Sequence, residues 1–333
     1  MSKDISVPIW KQVLRQNFID ISKLADFLLL NPEQRMDLLH RPRFVLNLPF
    51  RIAEKVPKGD INDPILKQFL PTNAEMSIDA GFLRDPVGDT NCLKSDKLLH
   101  KYFGRVLIVT TGACAMHCRY CFRQNFDYIV EKGFKEELKL IAEDRSINEV
   151  ILSGGDPLSL DDRTLGDLLK QIELISHVKK VRFHTRFPIG IPERIDESFL
   201  SLLANSRLQF WFVIHVNHPR EFDEEIFAAL KAVQRLGIPV LSQSVLLRGV
   251  NDSFGVLKEL FETMIDRGII PYYLNQLDRV QGASHFEVPE EEGKKLMADL
   301  AAVLPGYAIP RYIREIPGMP GKTPIDLFRN LNP

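Results

Sequence analysis

Residues 105–121 read RVLIVTTGACAMHCRYC, an apolar, β-branched run followed directly by a group of cysteines. The run predicts a buried strand over Arg105–Thr111. Three cysteines follow it with the spacing C-x3-C-x2-C, at Cys114, Cys118 and Cys121. Because the chain has only one other cysteine, Cys92, this cluster is typical of metal binding rather than of a disulfide framework.

The pattern that begins with this strand repeats along the chain. Short β-branched runs predict five more strands, over Glu149–Ser153, Lys180–Thr185, Gln209–Val216, Pro239–Leu246 and Ile270–Asn275. Helical periodicity separates them over Lys135–Ala142, Leu165–Ile175, Phe222–Leu236 and Val256–Arg267. This alternation predicts an α/β fold with a parallel sheet, and six units favour a partial (βα)6 barrel over an open doubly wound sheet.

The sequence predicts three regions: one before this repeat, one that contains it and one after it. Residues 1–95 form an N-terminal region in which prolines interrupt short helices, predicted over Ile9–Asn17, Ile21–Leu30 and from Asn31-Pro32 onward. Residues 96–280 form the core. Residues 281–333 form a C-terminal segment that carries Lys322.

Composition and charge exclude several classes of protein. Of 333 residues, 45% are hydrophobic and 26% charged, which excludes disorder as the dominant state. The 43 basic and 44 acidic side chains give a net charge of -1, so no global field attracts nucleic acid. No apolar run is long enough to cross a bilayer, and residues 1–8 lack the apolar core of a secretory signal. We therefore expect a cytoplasmic protein.

Polar residues stand where the predicted strands end, which is where parallel barrels place their chemistry. These strand-end residues are Gly154, Gly155, Asp156, His184, His215, His218, Gln243 and Asp278. The histidines, like His285 further on, are more often hydrogen-bonded structural residues than metal ligands. The role of Cys92 is not predicted.

Two kinds of metal site are compatible with the cysteine cluster. Three thiolates on one loop can hold three irons of a cubane iron–sulfur cluster, which leaves the fourth iron open to a small molecule. The alternative is a tetrahedral zinc site that His117 completes, although its ligands would be unusually crowded. The spacing favours the iron–sulfur cluster.

The cluster, with Tyr120 before its last cysteine and a βα repeat around it, resembles the radical S-adenosylmethionine superfamily. The resemblance implies a [4Fe–4S] cluster whose open iron binds S-adenosylmethionine (SAM), which one electron cleaves to a 5'-deoxyadenosyl radical. Gly154-Gly155-Asp156-Pro157 is similar to the superfamily's glycine-rich motif. The resemblance therefore assigns to the SAM site Tyr120, Gly154, Gly155, Asp156 and Gln243.

A C-terminal motif extends the resemblance to one family. Residues 317–324, Pro-Gly-Met-Pro-Gly-Lys-Thr-Pro, resemble the loop that presents the pyridoxal-phosphate (PLP) lysine of the lysine 2,3-aminomutase family. For Lys322 alone, a solvated tail lysine is the alternative. The resemblance also implies that Lys101, Tyr102 and Arg105 hold the cofactor phosphate, and a planar guanidinium suits that anion. Strand-edge capping is the alternative for Arg105.

The same resemblance implies a set of substrate residues. Arg123 would bind the substrate carboxylate, and Asp278 would bind the distal ammonium of L-lysine. Glu315 stands seven residues before Lys322, where the family usually has an aspartate, so its longer arm bears on substrate identity.

The implied activity is that of an isomerase, which converts L-α-lysine to (R)-β-lysine. The compact size resembles the aminomutase of the elongation factor P modification pathway, in which a separate ligase attaches the product. The implied partners are L-lysine, a flavodoxin or ferredoxin-type electron donor, elongation factor P and its ligase, with no nucleic acid or membrane. The alternatives are an aminomutase for glutamate or arginine, a radical enzyme without PLP, and a zinc-stabilised binding module.

Overall fold

A ten-stranded sheet is the centre of the protein, in a computed structural model that describes residues 7–129 and 133–327. Its strands lie in sequence order: β1 (Leu93–Ser95), β2 (Leu98–Tyr102), β3 (Arg105–Thr111), β4 (Glu149–Gly154), β5 (Lys180–Thr185), β6 (Gln209–His215), β7 (Val240–Val245), β8 (Ile270–Asn275), β9 (Arg311–Arg314) and β10 (Thr323–Pro324). Pairing is parallel from β3 to β9 and antiparallel at both margins. The predicted α/β class is confirmed, and the sheet is consistent with an open, partial barrel.

The six predicted core strands are all present. Three have the predicted bounds, β4 and β6 differ from the prediction by one residue at one end, and β7 is one residue shorter at each end. The sequence analysis missed β1, β2, β9 and β10, because strands of two to five residues with mixed charged and apolar side chains carry little periodic signal.

Helices connect the parallel strands and cover the sheet. They are α1 (Ile9–Leu14), α2 (Ile21–Phe27), α3 (Pro32–Met36), α4 (Phe50–Glu54), α5 (Pro64–Lys67), α6 (Lys135–Glu143), α7 (Asp162–Glu173), α8 (Phe187–Gly190), α9 (Glu197–Ala204), α10 (Glu224–Arg235), α11 (Phe254–Asp266) and α12 (Glu290–Ala301). The four predicted core helices correspond to α6, α7, α10 and α11. Helix α12 was not predicted, because it buries only Gly293, Met297 and Leu300.

The N-terminal region packs against the barrel through short helices, as predicted. The first two end at Leu14 and Phe27, earlier than expected. The helix start at Asn31 is confirmed by a capping box, in which Asn31 and Gln34 each bond the other's backbone N–H. Trp10 meets Phe187 edge to face, with the ring centroids 5.6 Å apart.

The C-terminal segment continues the sheet of the core. Strand β9 pairs in parallel with β8, and β10 returns antiparallel to β9. The predicted division at residues 95 and 280 remains a proposal. In the described part of the chain, no helix combines the length and apolarity that a membrane crossing requires.

Candidate active site

A cavity of about 610 Å³ lies inside the partial barrel that the sheet forms. Every residue that the sequence analysis assigns to a site lines this cavity: Lys101, Tyr102, Arg105, Cys114, Cys118, Tyr120, Cys121, Arg123, Gly154, Gly155, Asp156, Gln243, Asp278, Glu315 and Lys322. The cavity extends from the carboxyl ends of the strands to their starts, since Gly154 and Glu149, the two ends of β4, both line it. Residues more than 200 positions apart therefore share one chamber.

The cysteine loop follows β3 and is held by the N-terminal region. The amide of Asn47 donates to the carbonyl of Cys114 at 3.0 Å and accepts from Asn17 at 2.7 Å. The backbone N–H of His117 donates to the Asn47 carbonyl at 2.9 Å. The loop is thus fixed from a part of the chain that precedes the repeat.

The donor set fits an iron–sulfur cluster. Burial raises the pKa of Cys121 to about 11 and raises the pKa of Cys114 well above its ordinary value, and the neighbouring cysteine sulfurs add to both effects. Such thiols become thiolate ligands only beside a strongly cationic group, such as iron.

The geometry of the cysteine loop does not favour zinc. In residues 7–129 and 133–327, no three His, Cys, Asp or Glu side chains are grouped to hold one metal ion. A cubane binds each cysteine through a separate iron, so it does not require that convergence. His117 does not line the cavity that the three cysteines line, and its ring stacks on Phe44 with Nδ1 2.8 Å from the Val45 carbonyl.

The glycine-rich loop after β4 packs backbone to backbone against the cysteine loop. The N–H of Gly155 donates to the Thr111 carbonyl at 2.6 Å, and that of Asp156 donates to the Ala113 carbonyl at 2.8 Å. A Cβ on Gly155 would lie 2.3 Å from the Ala113 oxygen, so no side chain fits there. Gly154 has a φ of +111°, which also favours glycine.

Substitution Gly155→Ala should therefore destabilise the protein by about 1–3 kcal/mol, the usual cost of overpacking, because the two loops must separate. It should also weaken SAM binding, measured by equilibrium dialysis. Gly255→Ala is the matched control, because a Cβ at Gly255 meets no atom within 4 Å. Equal unfolding midpoints in urea for both variants would contradict this packing.

The carboxylate of Asp156 fixes the turn that follows β5. It accepts hydrogen bonds from the N–H groups of Leu158, Arg186 and Phe187 and from the hydroxyl of Thr185, at 2.7–3.0 Å. Burial raises its pKa to about 6, and these hydrogen bonds oppose the rise. Its assignment to the SAM site remains a proposal, and its side chain positions the loop through these contacts.

Lys322 lines the cavity at the end of a hairpin rather than lying in a solvated tail. Thr323 pairs with Arg314, so Lys322 and Glu315 face each other across the β9–β10 loop, which turns at Gly318 with a φ of +81°. The Lys322 Nζ lies 3.3 Å from Glu315 Oε2 and 3.3 Å from Asn275 Oδ1. The hairpin explains the seven-residue spacing.

Alternating charges connect the hairpin to the cysteine side of the cavity. Arg123 Nε donates to Asp89 at 2.8 Å, and Lys101 Nζ lies 2.7 Å from the other Asp89 oxygen. Lys101 also lies 3.5 Å from Glu315, which pairs with Lys322. Although burial opposes the shift, the charges of Arg123 and Lys101 lower the pKa of Asp89. Sequence reasoning missed Asp89, which belongs to no recognised motif.

Asp278 adds a second, half-buried acid near Lys322. Burial raises its pKa to about 6, while the charge of Lys322 opposes the shift and that of Glu315 adds to it. Tyr102 donates a hydrogen bond to Glu315. The hairpin side of the cavity is therefore rich in carboxylates and can receive a cationic group.

The starts of the strands form a basic end. Arg105, Arg182 and Arg311 line it, and Arg182 pairs with Glu149 at 2.7 Å. Within the described ranges, neither Arg105 nor Arg311 forms an ion pair. Arg105 lies over the ring of Tyr102, 4.8 Å from its centroid. Two unpaired guanidinium groups in a cavity fit a phosphate. Arg182 and Arg311 were not predicted.

The histidines divide into two groups. His215 Nε2 lies 2.9 Å from the Tyr120 hydroxyl, and His218 caps the turn after β6, so both are hydrogen-bonded within the protein, although His215 also lines the cavity. His184 Nε2 and His285 Nδ1 are buried, with no hydrogen-bond partner in the part of the chain described. Because His184 lines the cavity, a bound group can satisfy its free nitrogen.

Comparison with known proteins agrees with this chemistry. The family model for the radical SAM superfamily matches residues 108–260. The L-lysine 2,3-aminomutase of Escherichia coli (strain K12) is 40% identical and covers 96% of this chain and 94% of its own length. The L-lysine 2,3-aminomutase of Clostridium subterminale is 31% identical and covers 95% of this chain and 77% of its own length.

Among solved structures, the chain is similar to a radical SAM methyltransferase from Sphaerobacter thermophilus. The TM-score is 0.47 at 18% identity, over 65% of this chain and 68% of the other. The family assignment rests on the sequence relatives, because a 40% identity spans nearly the whole of both chains. The chain belongs to the L-lysine 2,3-aminomutase family of radical SAM enzymes.

Proposed function

We propose that this protein is a lysine 2,3-aminomutase that converts L-α-lysine to (R)-β-lysine. The observation that carries the proposal is the single cavity that joins the cysteine loop to Lys322 and the carboxylates Asp278 and Glu315. The reaction class needs these groups in one place, because the amino group moves between adjacent carbons of one bound substrate.

Each cofactor has residues that would hold it. The cysteine loop would hold the [4Fe–4S] cluster, and the glycine loop with Tyr120 and Gln243 would hold SAM. When bound, these two supply a radical that abstracts hydrogen from carbon. Lys322 would hold PLP, with its phosphate at the basic end near Arg105. When bound, PLP supplies a conjugated π system that makes nitrogen migration accessible.

The substrate would be held at both of its ends. Arg123 is fixed by bonds to Asp89 and to the Ser153 hydroxyl, the latter at 3.3 Å. Since a guanidinium has five N–H donors, it retains donors for a carboxylate. Asp278 and Glu315 attract a distal ammonium and repel an acidic side chain, which favours lysine over glutamate. Such a clamp keeps the reacting carbons aligned.

Substitution Asp278→Asn should raise the KM for L-lysine by about 30-fold or more, the scale for removing one partner of a buried charge pair, about 2–5 kcal/mol. Iron content should not change, because Asp278 contacts no cysteine. Asp252→Asn is the control, an acid paired with Arg248 outside the cavity. Steady-state kinetics with equal KM values for the two variants would remove Asp278 from the substrate site.

Lysine affinity should also depend on pH through Asp278, whose pKa is raised to about 6. Above this pH the carboxylate is charged and attracts ammonium, and as pH falls through about 6 it becomes neutral and the attraction is lost. The neighbouring charges are Lys322, Lys101, Glu315 and Asp89. We expect the KM of the wild type to rise below pH 6, and the KM of Asp278→Asn to stay nearly constant.

We infer further that the product serves the modification of elongation factor P in the cytoplasm, and that a flavodoxin or ferredoxin-type protein delivers the electron. The support is the resemblance of the sequence to the compact aminomutases of that pathway. Expression in a strain that lacks its own aminomutase, followed by mass analysis of elongation factor P, tests the link to that factor. The modification should return, and an unmodified factor beside active enzyme would refute it.

Anaerobic reconstitution with iron, sulfide, PLP and SAM tests the proposed activity. Dithionite supplies the electron, and the substrates are L-lysine, L-arginine, L-glutamate and L-alanine. We expect β-lysine from L-lysine, with the other amino acids turned over at least 100-fold less efficiently, a difference of about 2.7 kcal/mol in transition-state binding. Preference for another amino acid would reassign the substrate while leaving the reaction class intact.

A further inference from the structure

A buried polar network lies behind the cysteine loop, and the proposed reaction does not use it. Its centre is Arg186, directly after β5, which is only 6% exposed. Around it lie Glu221, Gln68 and Asn217, each 0% exposed. Burying a charged pair is costly, so the buried pair of Arg186 and Glu221, with two buried amides around it, calls for an explanation beyond fold stability.

The guanidinium of Arg186 reaches a cysteine sulfur. Its Nη1 lies 2.8 Å from Cys118 Sγ and also donates to the hydroxyl of Tyr120. Its Nη2 donates to Gln68 at 2.8 Å and to Glu221 at 2.6 Å. One side of the guanidinium therefore faces the cysteine loop, and the other side faces a carboxylate.

The orientation of the Arg186–Glu221 ion pair is fixed by the groups that contact each of its members. Glu221 accepts from the backbone N–H groups of Asn217 and His218 at 2.9 and 3.0 Å, and from the Gln68 amide at 3.1 Å. These bonds hold the carboxylate behind the guanidinium. The ring of Phe69 packs on Arg186, with the guanidinium 4.8 Å from its centroid. The positive end of the pair is thus held toward Cys118.

We propose that Arg186 is a positioning residue that sets the reduction potential of the cluster on the cysteine loop, with Glu221 as its counter-charge. This rests on the proposed function, because it requires that cluster. Reduction adds one electron to the cluster. A hydrogen bond to a ligand sulfur and a nearby positive charge stabilise the more negative, reduced form. Screening is weak at a buried site, so the effect persists at high salt.

Two variants should shift the potential in opposite directions. Glu221→Gln removes the counter-charge, so it should raise the potential. The double variant Arg186→Gln/Glu221→Gln removes the positive charge without stranding a buried carboxylate, so it should lower the potential. We expect about a tenfold change in the reduced-to-oxidised ratio for each, which is about 59 mV for one electron. Dithionite titration followed by electron paramagnetic resonance measures it in the reconstituted enzyme without SAM.

Arg194→Gln is the matched control. Arg194 is another buried arginine, 0% exposed, that pairs with Asp162 at 2.8 Å and lies under Trp10, but it does not line the cavity. Its loss should lower thermal stability and leave the potential unchanged. Iron and sulfide analysis of every variant shows that the cluster is present.

The outcomes separate this inference from the proposed function. Unchanged potentials, or shifts of the same sign in both variants, would overturn the role of Arg186 even where the wild type makes β-lysine. Loss of the cluster from both variants would also overturn the proposed role, because Arg186 and Glu221 would then be needed for cluster assembly rather than for the reduction potential. A wild type that binds no cluster would overturn the proposed function itself.

Discussion

Replacement of Lys322 with alanine should abolish β-lysine production while the iron content stays at the wild-type level. We expect a loss on the order of 10³-fold or more, the scale of removing a group that acts as an essential unit of a site. The fold should persist, because Lys322 is 29% exposed and its contacts with Glu315 and Asn275 are long.

The covalent role of Lys322 has its own readout. Borohydride reduction of the PLP-loaded wild type should leave the cofactor on the peptide that contains Lys322, and the alanine variant should carry none. Lys258→Ala is the control, since Lys258 pairs with Glu262 on the outer face of α11. Label on another lysine, or near-normal turnover by Lys322→Ala, would contradict the assignment.

Substitution of any one of Cys114, Cys118 and Cys121 with alanine should remove the cluster. Each cysteine would hold a different iron, so the remaining two cannot take over its role. Iron content should fall at least about tenfold, the brown colour should fade, and β-lysine should become undetectable. Anaerobic iron analysis and the visible absorbance of the cluster measure the effect.

Cys92→Ala is the internal control for this series. Cys92 lies in the turn before β1, is partly exposed and does not line the cavity. The iron content and activity of the Cys92→Ala variant should equal those of the wild type. If Cys92→Ala lost the cluster, or if one of the other three variants kept it, the assignment of the cysteine ligands would be wrong.

The parallel core was predictable because its strands contain apolar and β-branched residues in short runs. Strands β4 and β6 are buried along most of their length, so their signal is present in the local sequence alone. The cysteine and glycine loops were also predictable, because the spacing of the residues in their motifs is a property of the local sequence. The short marginal strands β2 and β9 form because neighbouring strands offer unpaired backbone groups, which the local sequence does not record.

The electrostatics of the cavity were less predictable. Lys322 and Glu315 could each be assigned to the site from a motif, but Asp89 contacts Arg123 and Lys101 only because the fold brings separate segments together. The contact of Arg186 with Cys118 likewise joins residues 68 positions apart. Interactions of this kind depend on register and packing, and a single sequence carries no direct record of either.

The fate of the substrate nitrogen tests the central claim most directly. L-lysine labelled with 15N at the α-amino group and with 13C at C3 would be converted by the reconstituted enzyme and followed by NMR. We predict β-lysine in which 15N is bonded to the labelled carbon, seen as a one-bond coupling. Label released as ammonium, or retained on C2 in every product, would contradict an aminomutase built on this cavity.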